Sequence, residues 1–329
     1  MPILGMNHRN ALIQRYNPRE AIKRVNQKFQ TKQRLAEAGV PVPQTLALIE
    51  DGAQLTAFDF ASLPDAFAVK PNRGRRGEGV ILVDGRTDGG WRQLNGETLT
   101  IGALRRHIGR IHEGELSLEG ADSDAALFEP LIRPHPDFAR LVPFGLPDIR
   151  IICLGDAPLM AMTRLPTEKS RGRANLHQGA VGAALDLRTG DIFRAVLGSE
   201  AIEHHPSTGE RLIDQQIPMW SDVIRAARRC SAALELGYVG VDLVIDATAG
   251  VQVLECNAYP GLEIQNVNGA GLAGRIEKVR RARQGRSVAR NLANLAPQPG
   301  SLYRMLAPPV LPIMKAAMMG AFQPKATAV

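Results

Sequence analysis

The chain moves between two hydrophobic periods, one typical of helices and one typical of strands. Residues 18–38 place apolar side chains at helical spacing and stop at Gly39. This pattern recurs at 100–113 and 221–237, so three helices are predicted. Apolar runs that predict strands lie at 66–71, 79–83, 126–132 and 181–187, and as hairpins at 148–166 and 238–259. Helices interleaved with mostly antiparallel hairpins favour an α+β fold in two lobes over a doubly wound parallel sheet.

A loop rich in glycine and arginine separates the first two predicted strands, in the segment VKPNRGRRGEGV at 69–80. Glycines allow backbone N–H groups to approach phosphate oxygens, and basic side chains beside them attract the anion. The residues concerned are Lys70, Arg73, Gly74, Gly77 and Gly79. Their spacing matches neither a Walker A loop nor a dinucleotide fingerprint. From the residues alone, a phosphate loop and an exposed hairpin loop both remain open.

The last predicted hairpin carries acids and an amide inside an apolar pattern. If its turn lies at ATAG, Asp242 falls opposite Leu254 or Glu255. Glu255 and Asn257 are two residues apart, so they share one face of the strand. Two carboxylates and an amide oxygen are hard ligands that suit Mg²⁺. The alternatives are surface acids on an exposed sheet or an internal salt bridge with an arginine.

Composition narrows the class of protein without deciding it. The chain has 329 residues, 44% of them hydrophobic, which is enough for about two domains. Three cysteines at wide spacing form neither a disulfide framework nor a zinc pattern. No apolar run is long enough for a signal peptide or a membrane-spanning helix, so a cytoplasmic protein is expected.

The net charge of +7 is concentrated near the C-terminus. Between 271 and 290 one acid, Glu277, stands among seven basic residues: Arg275, Lys278, Arg280, Arg281, Arg283, Arg286 and Arg290. This excess favours an anionic partner such as a nucleotide, nucleic acid, acidic peptide or membrane surface. Nucleic acid is the weakest of these, because no aromatic residues are interleaved with the arginines.

Six segments together resemble the ATP-grasp superfamily, and within it the branch related to alpha-L-glutamate ligases. The resemblance covers residues 24–270. Its segments are KFQTKQRLAEAGVPVP, AVKPNRGRRGEGV, FEPLI, the hairpin DIRIICLGD with MAMTRLP, RANLHQGA, and GVDLVID with LECNAYPGLE. Each segment alone is a weak signal, whereas six in this order and spacing are a strong one.

The resemblance implies where ATP and its metal would bind. ATP would lie between two α+β lobes, with Lys28 and Lys70 on the phosphates, Lys32 being a less favoured match for Lys28. Arg73, Gly74, Gly77 and Gly79 would cover the phosphates, and Glu129 and Ile132 would meet the adenine edge through backbone groups. Asp242, Glu255 and Asn257 would hold Mg²⁺ or Mn²⁺. Arg150, Arg164, Arg173 and Asn175 would face the γ-phosphate and an acyl phosphate, with His177 as a structural neighbour.

The implied activity is ATP- and Mg²⁺-dependent ligation of a carboxylate to an amine through an acyl phosphate. Glutamate or another amino acid is the expected substrate, and a peptide or protein carboxylate is a further option. Arg, Lys and Mg²⁺ stabilise the charge that develops on phosphoryl oxygens, so no protein nucleophile is needed. The alternatives are a nucleotide-binding regulatory or scaffolding protein without turnover, and a membrane- or nucleic-acid-associated module that uses the basic tail.

The resemblance also divides the chain. A short leader is expected at 1–27, a first lobe at 28–125, a second lobe with the metal site at 126–270, and a basic and apolar tail at 271–329. Complete family members carry a further α/β domain before the opening lysine, so this chain is expected to lack that full domain. The tail is expected to pack across the lobes, and contact with a membrane surface or protein partner is the alternative.

Overall fold

A computed structural model describes residues 2–74, 77–117 and 123–295, with side chains as far as Gly285. Residues 1–279 form one compact unit, and the chain from Arg280 is a second unit, described as helix to Leu295. Loop positions 75 and 76 and the predicted tail beyond 295 lie outside the described residues. In the part of the chain that is described, no helix is long and apolar enough to cross a membrane.

Nine α-helices lie in the described ranges, and the predicted helix at 18–38 is two of them. They are α1 (Met6–Tyr16), α2 (Arg19–Val25), α3 (Lys28–Glu37), α4 (Gly52–Ala57), α5 (Ile101–His112), α6 (Pro136–Leu141), α7 (Trp220–Leu234), α8 (Glu263–Asn268) and α9 (Ala273–Leu295). The break comes from a distant residue, because the N–H groups of Lys28 and Phe29 donate to the carbonyl and side-chain oxygens of Asn72. Such long-range capping leaves no local signal in the sequence.

The first sheet has six antiparallel strands in the order β1-β6-β2-β3-β4-β5. The strands are β1 (Ala47–Ile49), β2 (Phe67–Pro71), β3 (Ile81–Thr87), β4 (Gly90–Gln93), β5 (Thr98–Leu99) and β6 (Ala126–Pro130). Helix α5 covers one face because Leu104, Ile108 and Ile111 recur on one side of it and are fully buried. The Thr100 hydroxyl caps that helix by accepting from the N–H of Ala103.

The second sheet has seven antiparallel strands in the order β11-β10-β9-β8-β7-β12-β13. They are β7 (Asp148–Leu154), β8 (Ala157–Leu165), β9 (Val181–Leu185), β10 (Ile192–Leu197), β11 (Glu200–Ile202), β12 (Tyr238–Asp246) and β13 (Gly250–Asn257). The α+β prediction and both predicted hairpins are confirmed.

Opposite faces of the second sheet have different coverings. One face packs against α7 in a core that contains Val223, Cys230 and Val241. The other packs against α1 and α8, where Ile13 and Ile264 meet residues of β7 and β8. Leu4, Ile13 and, at the start of α9, Ile276 pack on this second face, whereas Ala21 and Val25 of α2 pack on the α7 side. The division of the chain at 27, 125 and 270 remains a prediction.

An extra residue in β13 determines which of its side chains lie on the α7 side of the sheet and which lie on the opposite side. Val251, Val253 and Cys256 all pack on the α7 side, a spacing that a regular strand does not allow. The register shifts between Asp242 and Leu243, so Leu254 is a bulge and Asp242 lies directly opposite Glu255. Of the two pairings that the sequence left open, the bulge selects the one that aligns two carboxylates.

Candidate active site between the two sheets

Two lysines share one buried carboxylate on the first sheet. Lys32 Nζ lies 2.6 Å from Glu129 Oε1 and 3.0 Å from Thr45 Oγ1. Lys70 Nζ lies 2.7 Å from Glu129 Oε2. Burial alone would raise the pKa of Glu129, but the charges of Lys70 and Lys32 outweigh it and lower that pKa. We call these three side chains the lysine cluster, and it carries one positive charge in excess.

The third lysine, Lys28, begins α3 and binds the glycine loop. Its Nζ donates to the carbonyl of Gly74, within the loop that follows β2. Burial lowers the pKa of Lys28, and the carboxylate of Glu255 is the strongest influence that opposes the shift. Lys28 of α3 is therefore close enough to Glu255 of β13 for their charges to interact. The Asn72 cap of α3 is what places Lys28 beside the loop.

The glycine loop is anchored at both ends. The N–H of Arg73 donates to Asp124 Oδ2 at 2.8 Å, and Asp124 is buried. At the other end, His107 Nε2 lies 2.9 Å from the carbonyl of Gly79. Gly79 has φ +69, and a Cβ there would lie 2.8 Å from the ring of Pro71, so a side chain would clash. The loop is thus folded back on the end of β2, next to Lys70.

Two arginines and two aspartates form a paired row on the second sheet, where β8, β7 and β12 are neighbours. Arg150 Nε donates to Asp242 Oδ1 at 2.7 Å, and its Nη2 donates to Asp242 Oδ2. Arg164 Nε donates to Asp148 Oδ1 at 2.6 Å, its Nη2 donates to Asp148 Oδ2, and the same Nη2 reaches Asp242 Oδ2 at 3.1 Å. We call these four side chains the arginine row, and it carries no net charge.

Because the four side chains of the arginine row are largely buried, each charge needs its partner. Burial raises the pKa of Asp148 to about 6, against the opposing charge of Arg164. Burial acts on Asp242 in the same sense, but there the charges of Arg150 and Arg164 outweigh it and lower the pKa. Charges removed from water in this way persist only when their partners are in place.

The predicted metal ligands lie beside this row. Asp242 and Glu255 are directly paired across β12 and β13, and Asn257 follows on the same face opposite Gly240. The Asn257 side-chain oxygen accepts from the N–H of Tyr259 at 2.8 Å. Within the described residues no group of three or more His, Cys, Asp or Glu is arranged for a metal. The set here is two carboxylates and an amide, whose hard oxygens fit Mg²⁺, although a cation would compete with two arginines for Asp242.

The remaining predicted residues lie on loops. Arg173 is exposed, and the Asn175 side-chain oxygen accepts from the N–H of His177 to cap the turn Leu176–Gln178. Ile132 lies in the segment that joins the sheets. Among the described residues, neither Arg173 nor Asn175 forms a hydrogen bond or ion pair with the arginine row or with Glu255. Their assignment to the reacting phosphate stays a prediction.

The sequence motifs missed several residues at the site, among them Asn72, Asp148 and Asp246. Asp246 Oδ2 accepts from the N–H of Arg133 at 2.9 Å, while its Oδ1 accepts from Thr248 and Ala249. It therefore ties the segment containing Ile132 to the end of β12. For Asp148, the alternation in DIR offers a signal, because residues two apart on a strand share a face.

A separate cavity of about 620 Å³ lies between α8, β10 and the turn Leu176–Gln178. Leu176, His177, Arg194 and Glu263 are among the residues that line it. None of the residues predicted to bind ATP or the metal lines this cavity. Arg194 donates to the carbonyls of Asn266 and Val267, so its positive charge is placed at the C-terminal end of α8.

Comparison with known proteins decides the family. The family model described as sugar-transfer associated ATP-grasp matches residues 7–281. This chain is a sugar-transfer associated ATP-grasp protein. The prediction of an ATP-grasp fold in two α+β lobes is thereby confirmed, and the branch named for sugar transfer is one that the motifs did not indicate.

Curated relatives of this ATP-grasp protein include probable alpha-L-glutamate ligases. The protein of Mannheimia succiniciproducens is 29% identical over 247 residues, which are 75% of this chain and 60% of that one. The protein of Xanthomonas oryzae pv. oryzae is 28% identical over 265 residues, 79% of this chain and 66% of that one. The chain therefore spans about 60% to 66% of the length of these relatives.

Similar solved structures are also ATP-grasp ligases. The ligase PsnB complexed with a minimal precursor has 18% identity and a TM-score of 0.43, over 81% of this chain and 63% of that one. The D-alanine–D-alanine ligase from Bacillus anthracis complexed with ATP has 15% identity and a TM-score of 0.45, over 80% of this chain and 68% of that one.

Proposed function

We propose that this protein joins a carboxylate to an amine, using ATP and Mg²⁺, through an acyl phosphate. The observation that carries the proposal is the direct pairing of Asp242 with Glu255, while Lys28 of α3 binds the glycine loop and lies close enough to Glu255 for their charges to interact. Basic side chains of one segment and carboxylates of another meet where a metal-bound triphosphate needs both. Asp242, Glu255 and Asn257 are the residues that would hold the cation, which would offset charge on the phosphates.

The basic residues have separate roles in this proposal. Lys28 and Lys70 bind phosphate oxygens, and the loop from Arg73 to Gly79 covers them. Arg150 and Arg164 stabilise the negative charge that develops as the carboxylate attacks the γ-phosphate and as the amine displaces phosphate. Arg173 and Asn175 extend this surface toward the acceptor, and Ile132 offers backbone groups to the adenine.

The names of the relatives support an amino acid as one substrate. Several are probable alpha-L-glutamate ligases, and the similar structures include a ligase bound to a precursor peptide. The name of the family adds sugars to the acceptors worth testing. We therefore propose glutamate or another amino acid as one partner and an amine on an amino acid, peptide or amino sugar as the other.

The test is release of ADP and phosphate by the purified full chain. Incubation with ATP and Mg²⁺ is combined with pools of amino acids, peptides and amino sugars, and products are identified by mass spectrometry. We expect one pool to release both products and to yield an amide. Glu255→Gln should abolish the reaction, while the exposed control Glu200→Gln should retain it. ATP binding without turnover in any pool would favour the regulatory alternative and contradict the ligase proposal.

A further inference from the structure

The two arginines of the arginine row differ in their number of carboxylate partners. Arg150 has one, since both of its side-chain hydrogen bonds go to Asp242. Arg164 has two, and its bidentate partner is Asp148 while its bond to Asp242 is longer at 3.1 Å. Both arginine side chains are 14% exposed, so they are matched in access to solvent. The difference between them lies in the partners alone.

This asymmetry has a consequence when Asp242 serves another cation. If Asp242 held Mg²⁺, the cation would compete with the three guanidinium bonds that its two oxygens accept. Arg150 would then have no carboxylate partner, and an unpaired buried charge is costly. Arg164 would keep the bidentate pair with Asp148, which is the stronger kind of arginine–carboxylate bond.

We propose that Asp148 is a positioning residue that keeps Arg164 on the sheet. Arg150 is the arginine that is released toward the phosphates when Asp242 binds the cation instead. The inference rests on the proposed function for the identity of the anion that Arg150 then meets. Cation binding and phosphate binding would thus be linked through one side chain. Arg164 would remain a fixed donor in both states.

The experiment measures the reactivity of each arginine with phenylglyoxal, which attacks unpaired guanidinium groups. Labelling rates at the two sites are followed by peptide mass spectrometry in the full chain without nucleotide. In Asp242→Asn, we expect Arg150 to be labelled about tenfold faster than in the wild type, the effect of losing one charge-assisted pair. Arg164 should change by less than about twofold, because Asp148 still holds it.

Three further variants distinguish a positioning role of Asp148 from a general destabilisation of the fold. Asp148→Asn should speed labelling of Arg164 and leave Arg150 protected, and Asp148→Glu should restore the protection by restoring a carboxylate. Glu255→Gln is the matched control, because its carboxylate forms no ion pair with either arginine. Melting temperatures of all variants exclude global unfolding as the cause.

A second measurement uses the wild type, in case Asp242→Asn does not fold. Adding MgCl₂ in place of EDTA should speed labelling of Arg150 but not of Arg164. Equal changes at both arginines, or protection of Arg150 that is unaltered in both measurements, would overturn the inference. Because these assays contain no nucleotide, failure of the inference is distinguishable from failure of the ligase proposal, which is read from ADP release.

Discussion

The lysine cluster and the arginine row solve the same problem of buried charge in different ways. In the lysine cluster one carboxylate, Glu129, serves two ammonium groups, each at one oxygen. In the arginine row two carboxylates serve two guanidinium groups through paired bonds. Lysine is a compact point charge, whereas the planar arginine fork matches a carboxylate with two parallel bonds. The first cluster retains a positive charge and the second is neutral.

This difference indicates how each region would meet a triphosphate. An anion can join the lysine cluster without displacing anything, because Lys32 and Lys70 together exceed the charge of Glu129. An anion can engage the arginine row only if an existing pair opens. In the proposed phosphate site, the lysine cluster can therefore bind an anion as it is, whereas the arginine row must first rearrange.

The largest expected effect comes from removing the single carboxylate of the lysine cluster. Glu129→Ala leaves Lys32 and Lys70 buried side by side without a counter-ion, which should lower the free energy of unfolding by about 3–5 kcal/mol. Urea unfolding at neutral pH measures the change. Glu255→Ala is the control and should cost less than about 1 kcal/mol, because this side chain is only partly buried. Equal costs for the two variants would mean that the cluster is not what stabilises this region.

Replacing an arginine of the row should cost less. Arg164→Lys keeps the charge but loses the bidentate pair with Asp148, so we expect a loss of about 1.5–3 kcal/mol in unfolding free energy. Arg228→Lys is the matched control, because Arg228 lies 3.6 Å from Asp156 at the surface and is 54% exposed. That control should change stability by less than about 0.5 kcal/mol. If the two variants unfold at the same urea concentration, the fork geometry contributes nothing.

A smaller effect is expected where the two regions are joined. Asp246→Asn removes the carboxylate oxygen that accepts from the N–H of Arg133, and should cost about 1 kcal/mol. Because that N–H lies next to Ile132, the KM for ATP should rise more than kcat falls. Asp186→Asn, at a turn capped in a similar way, is the control and should leave the KM unchanged. An unchanged KM in Asp246→Asn would remove the segment from the nucleotide site.

The smallest effect is a pH dependence confined to the lysine cluster. Burial opposes ionisation of Glu129, but Lys70 and Lys32 outweigh it and hold the pKa below the ordinary value of 4.5. The ionised carboxylate therefore stabilises the fold above pH 4.5, and this contribution is lost as the pH falls below it. The stability difference between wild type and Glu129→Gln should shrink in urea titrations from pH 6 down to about pH 4. A difference that is constant over this range would contradict the assignment of the charges.

The sequence predicted elements well where the pattern was local. The α5 helix and both hairpins follow from apolar spacing, and the ATP-grasp family follows from short segments in order. It could not predict partners set by distant packing. Asn72 interrupts the predicted helix at 18–38 from across the fold, and the bulge at Leu254 shifts the register by one residue. The ion pairs of Asp148 depend on which strands are neighbours in the sheet, and no single segment of the sequence determines the strand order.

We propose that the lysine cluster, Lys28 and the β12–β13 hairpin form one site for ATP with Mg²⁺. Calorimetric titration of ATP into the full chain, in Mg²⁺ and in EDTA, tests it most directly. We expect the affinity for ATP to be at least about tenfold higher in Mg²⁺ for the wild type, and no such difference in Glu255→Gln. Equal affinity in both buffers, or a Mg²⁺ effect that survives in Glu255→Gln, would contradict it.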